Sequence, residues 1–409
     1  MSAAGLLAAI QPVGAIQPKP LNPDGPFSVI PSLEVEYGYD DNVNQVAENP
    51  AVRARGADGE PVEKETSSVV EVVPVFAVQA GRRDSRFFAA YRPRYVRYLE
   101  QRERDQFNHR LQGGGETVIN RRNRVQGAFG YSRVEEPLTV TNRRFGEDAS
   151  IRVDRSVNGE WLFGAEGARG QLQLDLGLTQ RRYANNLSPV AAGATDNAGS
   201  EYNDYDIGST LGIRVGGRTR ALLSARYSKI DYTLSSSPRG GSEMSVLTGL
   251  RWKATGKTTG EIEFGRQRKG YDDPAVATNA VNTWAAEILW EPRGRDEVTL
   301  STTNLLQEGG SGEIAVESQD TTIAWAHEWG ARVSSSVALG YQRRDYIARI
   351  GTFNAGRTDK LSSVTIGWNY AVRRWMDLGM TWFYRENRST AAAAEYERNT
   401  VLLRLEVSF

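Results

Sequence analysis

The stretch QLQLDLGLTQ, residues 171–180, decides how this chain folds. Leucine occupies every second position, at Leu172, Leu174, Leu176 and Leu178, and the positions between hold glutamine, aspartate, glycine and threonine. Successive side chains of a β-strand point to opposite faces of the sheet. The stretch therefore predicts a strand with one apolar face and one face that meets water.

The same alternation returns from Leu33 to the end of the chain. Residues 204–215 and 363–370 separate their aliphatic and aromatic side chains from their polar ones in the same way. Soluble β-sandwiches also alternate. The two faces alone therefore do not distinguish a soluble protein from a membrane protein.

The connections between strands are more specific, because long and short gaps alternate. The short ones, such as GRRD and EPRGR, are rich in residues that favour tight turns. The long gaps span residues 40–66, 99–105, 135–147, 184–202, 234–242, 270–280, 307–317, 344–358 and 387–396. Bacterial outer-membrane barrels have short periplasmic turns and longer extracellular loops. We predict an all-β fold, a transmembrane antiparallel up-and-down β-barrel of about 18 strands, with 16 as the alternative.

Composition fits a membrane crossed by strands. The 409 residues have a mean hydropathy of −0.50, and no run reaches the roughly 18–20 apolar residues of a spanning helix. A spanning strand needs only about 9–11 residues. The 50 basic and 50 acidic side chains balance, which argues against a nucleic-acid partner. The absence of cysteine excludes disulfides and cysteine-based zinc sites.

Two units follow from the strand pattern. We expect residues 1–31 to form an extended periplasmic segment, with Met1 as the start of a mature or engineered chain, and residues 32–409 to form the barrel. The loops 40–66 and 186–200 could fold inward as constrictions or stay outside as binding surfaces. Both alternatives stay open.

The water-facing phase of the strands identifies candidate pore-lining residues. These are Gln171, Gln173, Asp175, Asp206, Arg214, Arg220, Arg226, Arg251, Glu261, Glu263, Glu287 and Asn369. With Thr299, Ser301 and Thr381 they could offer hydrogen bonds to sugar hydroxyls. Outward-phase aromatic residues should form two interface girdles. These are Trp252, Trp290, Trp329 and Trp368 near short turns, and Tyr98, Tyr232, Trp284 and Tyr384 near long loops.

The chain offers little catalytic chemistry. Its two histidines, His109 and His327, share the phase of apolar neighbours and should face outward. The luminal glutamates, Glu261, Glu263, Glu287, Glu291 and Glu297, could hydrolyse glycosidic bonds or bind divalent cations. A polar wall balanced by arginines is the favoured interpretation, so we expect no enzyme activity, no metal and no cofactor.

Two motifs carry a family resemblance. SLEVEYGYDDNVNQ, residues 32–45, contains an aromatic-Asp-Asp-Asn turn at Tyr39, Asp40, Asp41 and Asn42, and TVLLRLEVSF ends at Phe409. The first motif resembles the opening of outer-membrane β-barrel porins associated with exopolysaccharide and capsule export systems. The second resembles the terminal-strand signal that the outer-membrane assembly machinery reads.

The resemblance implies a bacterial outer-membrane channel that exports a secreted polysaccharide. It also implies a periplasmic polysaccharide-export partner, besides the lipid bilayer and the assembly machinery. A passive diffusion or solute-uptake porin is the first alternative. A structural or adhesive barrel is the second, and an outer-membrane hydrolase the third.

Overall fold

The computed structural model describes residues 21–22, 27–53, 60–136, 150–184, 197–255, 257–309, 313–348 and 356–408. Phe409, most of the segment 1–31 and most of the loop 186–200 lie outside these residues. None of the helical turns in the described ranges has the length and apolarity needed to cross a membrane.

Eighteen strands form within the described residues. They are β1 (Phe27–Asp40), β2 (Ser67–Arg82), β3 (Ser85–Tyr98), β4 (Gln106–Asn120), β5 (Asn123–Glu136), β6 (Ser150–Phe163), β7 (Gly170–Tyr183), β8 (Tyr202–Arg214), β9 (Thr219–Tyr232), β10 (Gly241–Thr255), β11 (Thr258–Tyr271), β12 (Asn279–Arg293), β13 (Asp296–Glu308), β14 (Glu313–Glu328), β15 (Val333–Ala348), β16 (Thr358–Arg373), β17 (Met376–Ser389) and β18 (Tyr396–Ser408). The strand β1 begins at Phe27, within the segment expected to precede the barrel.

The sheet closes on itself. Every strand pairs antiparallel with its neighbours in sequence, and β1 also pairs with β18 from Ser32 opposite Ser408 to Asp40 opposite Thr400. Closure leaves none of the eighteen described strands at a free edge of the sheet, which is how a sheet satisfies its backbone hydrogen bonds in lipid. The predicted barrel of 18 strands is confirmed, and the 16-strand alternative is not needed.

The alternation places apolar side chains on the outside. Leu176, Ile207, Phe264 and Leu403 are each more than half exposed on this outer face. Their chain neighbours point into the lumen. In water this surface would be costly, whereas in a bilayer it contacts acyl chains.

The two ends of the barrel differ as predicted, with one exception. Short turns join strands at the end where the chain enters and leaves, and long loops join them at the other. We call these the short-turn end and the long-loop end. The gap predicted over 307–317 is only residues 309–312, because β13 and β14 extend further than the sequence pattern indicated.

The girdle prediction is partly wrong. Trp290, Trp329 and Trp368 lie exposed on the outer face near short turns, and Trp284 shares the outer face with its strand partner Phe264. Tyr98 and Tyr232 point into the lumen instead. Tyr98 follows the buried Val96 by two residues on β3, and Tyr232 follows the buried Ile230 by two residues on β9. Each tyrosine therefore lies on the same luminal face as the buried residue before it.

Candidate functional site on the luminal wall

All twelve candidate pore-lining residues lie on the inner face. Each occupies the strand phase opposite to exposed apolar neighbours, as Gln173 and Asp175 do beside Leu176. That they contact a passing solute stays a prediction. What the structure adds is how they bond to each other.

Polar side chains of β6 and β7 form one hydrogen-bonded patch. The amide of Gln173 donates to Glu160 at 3.2 Å and to Asp175 at 3.0 Å. Gln171 donates to the backbone carbonyl of Ala165 at 3.0 Å in the short turn below. The patch presents amides and carboxylates with fixed orientation to the lumen.

A single register row crosses eleven strands of the inner wall. Each member lies directly opposite the next on the neighbouring strand. The row runs through Arg214, Arg220, Arg251, Glu261, Glu287, Ser301, Thr322, Gly340, Ser363, Arg385 and Arg398. It starts at the short-turn end of β8 and finishes at the long-loop end of β18. We call it the luminal row.

The charges of the luminal row are unevenly paired. Arg251 forms an ion pair with Glu261. Arg220 donates to the turn carbonyls of Glu166 at 2.9 Å and Ala168 at 3.1 Å. Closer to the long-loop end on the same wall, the Arg226 guanidinium lies 3.9 Å from the Asp206 carboxylate. The short-turn end of β8 to β10 therefore carries more positive charge than its partners neutralise.

The facing wall of β16 to β18 is differently charged. Arg404 donates to the side-chain amide oxygen of Asn369 at 2.8 Å and lies 3.4 Å from the Glu406 carboxylate. Asp377, which accepts from Asn369, is fully buried. Here positive and negative groups alternate, in contrast to the arginines of β8 to β10.

The tips of β13 and β14 fold into the lumen. β12 and β13 pair only up to Trp284 opposite Asn304. Beyond that point, Gln267 of β11 takes the place of a strand partner, because its amide accepts from the Leu306 backbone N–H at 2.9 Å and donates to the Leu306 carbonyl at 3.3 Å. Since Gln267 is luminal, Leu306 lies over the inner face. We call residues 305–308 and 313–316 the inner hairpin.

Charged contacts hold the inner hairpin against the wall. The Glu308 carboxylate pairs with Lys269, which is fully buried, and accepts from the Tyr232 hydroxyl. Arg239 donates to the Gly309 carbonyl at 2.8 Å. The strands β9 to β11 thus carry a segment of their own barrel on the luminal side at the long-loop end.

The inner hairpin was not among the predicted constrictions. A signal existed: Ile314, Ala315 and Val316 form an unbroken apolar run, and all three are buried. Such a run indicates that both faces of a strand are covered. The described part of the loop 40–66 bonds to the neighbouring rim, where Arg104 donates to Asn44 at 2.9 Å.

The family motif joins the first strand to the last. Asp40 accepts from the Arg398 guanidinium at 2.9 Å, and Asn399 donates to Asp41 through its backbone at 2.7 Å. The Asn42 amide donates to the Glu397 carbonyl at 2.7 Å. Tyr39 points to the outer face. The motif therefore fastens the closing seam at the long-loop end.

Neither histidine reaches the lumen. His109 contacts Tyr91 at 2.7 Å on the outer face, and His327 contacts Asp296 at 2.8 Å near a short turn. In the described ranges no group of three His, Cys, Asp or Glu side chains could hold a metal ion. Of the luminal glutamates, Glu261 pairs with Arg251, and Glu263 accepts from the Ser224 hydroxyl at 2.5 Å.

One rim carboxylate has a shifted pKa. The Ser67 hydroxyl donates to Glu100 at 2.8 Å, and the Ser68 backbone N–H donates at 2.6 Å. These bonds favour the ionised form and lower the pKa of Glu100, with the Ser67 hydroxyl as the main cause. The contact ties the β3–β4 loop to the start of β2.

Comparison with known proteins gives one family match. A family model described as "Putative beta-barrel porin 2" matches residues 22–409. Among curated protein sequences, no match is found.

Several solved structures of outer-membrane proteins are similar to this chain at low sequence identity. A BenF-like porin from Pseudomonas fluorescens Pf-5 has 10% identity and a TM-score of 0.48, over 94% of this chain and 99% of its own. OccK2 (OpdF) of Pseudomonas aeruginosa, in complex with glucuronate, has 12% identity and a TM-score of 0.46, over 93% and 98%. A "bacterial polysaccharide outer membrane secretin" has 10% identity and a TM-score of 0.35, over 92% and 98%.

Proposed function

The chain belongs to the beta-barrel porin 2 family, and on that premise we propose that it passes a secreted polysaccharide out of the cell through its polar lumen. It is a multi-pass barrel of the bacterial outer membrane with a porin-like architecture. Polysaccharide as the cargo, and export as its direction, are our proposal.

The luminal row is the observation that supports this proposal. Directly opposite residues on neighbouring strands lie about 4.5–5.5 Å apart, so the row offers closely spaced polar groups. Its middle, Ser301, Thr322, Gly340 and Ser363, is small and uncharged. Because the strands of such barrels are tilted, the row climbs along the pore as it crosses them. A hydrated sugar chain would find hydrogen-bond partners at successive levels.

The dimensions are compatible with such a cargo. Barrels of 16–18 strands can leave an aqueous channel. Hydroxyl and amide groups exchange hydrogen bonds with sugar hydroxyls at little net cost. A wall of this kind binds a chain weakly at many places, which allows movement.

We propose three partners for the barrel, each at a different part of its surface. A periplasmic polysaccharide-export protein would meet the short-turn end, where β1 begins and β18 ends. The assembly machinery would recognise the terminal strand that leads to Phe409. The lipid bilayer would contact the outer face.

Single-channel recording with neutral oligosaccharides of increasing length tests the proposal. We expect current blockades whose duration rises with chain length, because a longer chain contacts more of the wall. Thr322→Val should change these durations, whereas Thr321→Val, one residue away on the outer face, should not. Blockades that are absent, or independent of length, while small solutes permeate would assign the barrel to passive diffusion.

A further inference from the structure

Three arginines lie side by side at the short-turn mouth of the barrel. Arg214 is directly opposite Arg220, and Arg220 is directly opposite Arg251, on β8, β9 and β10. All three point into the lumen. Like charges directly opposite each other destabilise a sheet. The stability of the sheet therefore does not explain why three arginines lie together here.

On the neighbouring strand, β11, the row continues with a residue of opposite charge, which neutralises the arginine opposite it. Arg251 continues the row onto Glu261, and the two form an ion pair. Arg214 forms no ion pair with any described residue. Arg220 bonds only to turn carbonyls, and its Nη1 atom is buried without a partner among the described residues. The Arg214 guanidinium thus retains donors for a group in the lumen, and Arg220 retains one buried donor that no described group satisfies.

The surroundings reinforce the positive charge. The three arginines line a cavity of about 540 Å³, and Glu166 is the one acidic residue among its described lining residues. Further cationic residues line it, namely Arg121, Arg122, Arg124, Arg218 and Lys253. Small-ligand sites typically measure about 300–1,000 Å³. The cavity is large enough for one or two sugar units.

We propose that Arg214, Arg220 and Arg251 form a binding site for the carboxylate groups of an acidic polysaccharide. The inference rests on the proposed function and names its substrate class. Guanidinium groups bind carboxylates through two parallel hydrogen bonds. Their spacing along the row lets neighbouring arginines meet successive acidic groups of one chain. The site lies at the mouth that an outgoing chain meets first.

The test compares acidic and neutral oligosaccharides as blockers of the reconstituted channel. Oligogalacturonate and malto-oligosaccharide of equal length are added on the short-turn side. Arg214→Gln should weaken block by oligogalacturonate about tenfold, the equivalent of about 1.4 kcal/mol, and leave block by the neutral chain unchanged. Block of the Arg214→Lys channel by oligogalacturonate should be intermediate between that of the wild type and that of Arg214→Gln, because lysine keeps the charge but loses the paired hydrogen bonds.

A matched control separates the site from general luminal charge. Arg226 lies on β9 and faces the lumen, but it has Asp206 beside it. Arg226→Gln should reduce block by oligogalacturonate far less than Arg214→Gln does. Folding of each variant is checked by heat-dependent migration on a gel, which reports a closed barrel.

The possible outcomes separate failure of the proposed arginine site from failure of the proposed export function. If both oligosaccharides block and Arg214→Gln changes neither, the site is rejected while the export proposal stands. If neither blocks, the export proposal fails and the substrate class fails with it. If polyphosphate blocks as strongly as oligogalacturonate through the same arginine, the site is a general anion site and the carboxylate assignment is overturned.

Discussion

At the scale of single residues, the largest fully buried side chains are polar or charged. Lys269, Asp40 and Asp377 are among the fully buried side chains. A buried charge is costly unless it is paired and hydrogen-bonded, and each of these has a partner on another strand. Local alternation predicts that such residues face inward. It does not predict their partners, because the Lys269–Glu308 contact joins residues on β11 and β13.

The Ser67–Glu100 contact has a pH dependence that can be tested at the same scale. The pKa of Glu100 is lower in the folded state, so the contact stabilises the fold above the ordinary value of 4.5. That stabilisation is lost as pH falls through the lowered pKa. We expect Ser67→Ala to reduce unfolding stability at pH 7 and to have a smaller effect at pH 3.

Chemical denaturation of refolded protein at both pH values measures this difference. Glu100→Gln provides the reference, because it cannot ionise. If Ser67→Ala has the same pH-dependent effect in the Glu100→Gln background, the pair is not the origin of the dependence.

At the scale of elements, the alternating pattern is sufficient to predict most strands but fails at one hairpin. β7 matches the expectation from residues 171–180 closely, since its leucines face outward. The tips of β13 and β14 bend inward because Gln267 replaces a strand partner for Leu306. That contact spans 39 residues of sequence. A pattern of period two cannot encode a contact between a side chain and a distant backbone.

The inner hairpin should affect the current through the pore. Gln267→Ala removes both hydrogen bonds to Leu306 and weakens the attachment of the hairpin, while the Lys269–Glu308 ion pair remains. We expect a higher mean conductance and more frequent current fluctuations in planar bilayers. Gln342→Ala is the control, because Gln342 is a luminal amide bonded to Asp320, away from the hairpin. Equal conductance of the wild type and Gln267→Ala would show that the hairpin does not narrow the path.

At the scale of the whole molecule, the barrel depends on one closing seam. Strand number and the two unlike ends could be predicted from loop lengths. The luminal row could not, because register between strands depends on the shear of the complete barrel. Gly38 shows how closely the seam is packed. A Cβ atom at this position would lie 2.1 Å from the Val401 carbonyl oxygen.

Closure should therefore fail when Gly38 carries a side chain. We expect Gly38→Val to lose most of the heat-modifiable, closed form on refolding into detergent or lipid. Gly159→Val is the matched control, since a Cβ atom there meets no atom within 4 Å. A closed Gly38→Val barrel with normal yield would mean that the seam can widen to accept the side chain.

The bonds of Asp40 to Arg398 carry a consequence for biogenesis. Their partners lie 358 residues apart, so these bonds cannot form before the last strand has been made. Contacts of such long separation form late in folding, because the entropy of closing the intervening chain must first be overcome. An incomplete chain would present Asp40 without its partner at an open edge. The seam thereby couples closure of the barrel to the completeness of its synthesis, because a chain that lacks its last strand cannot make these bonds.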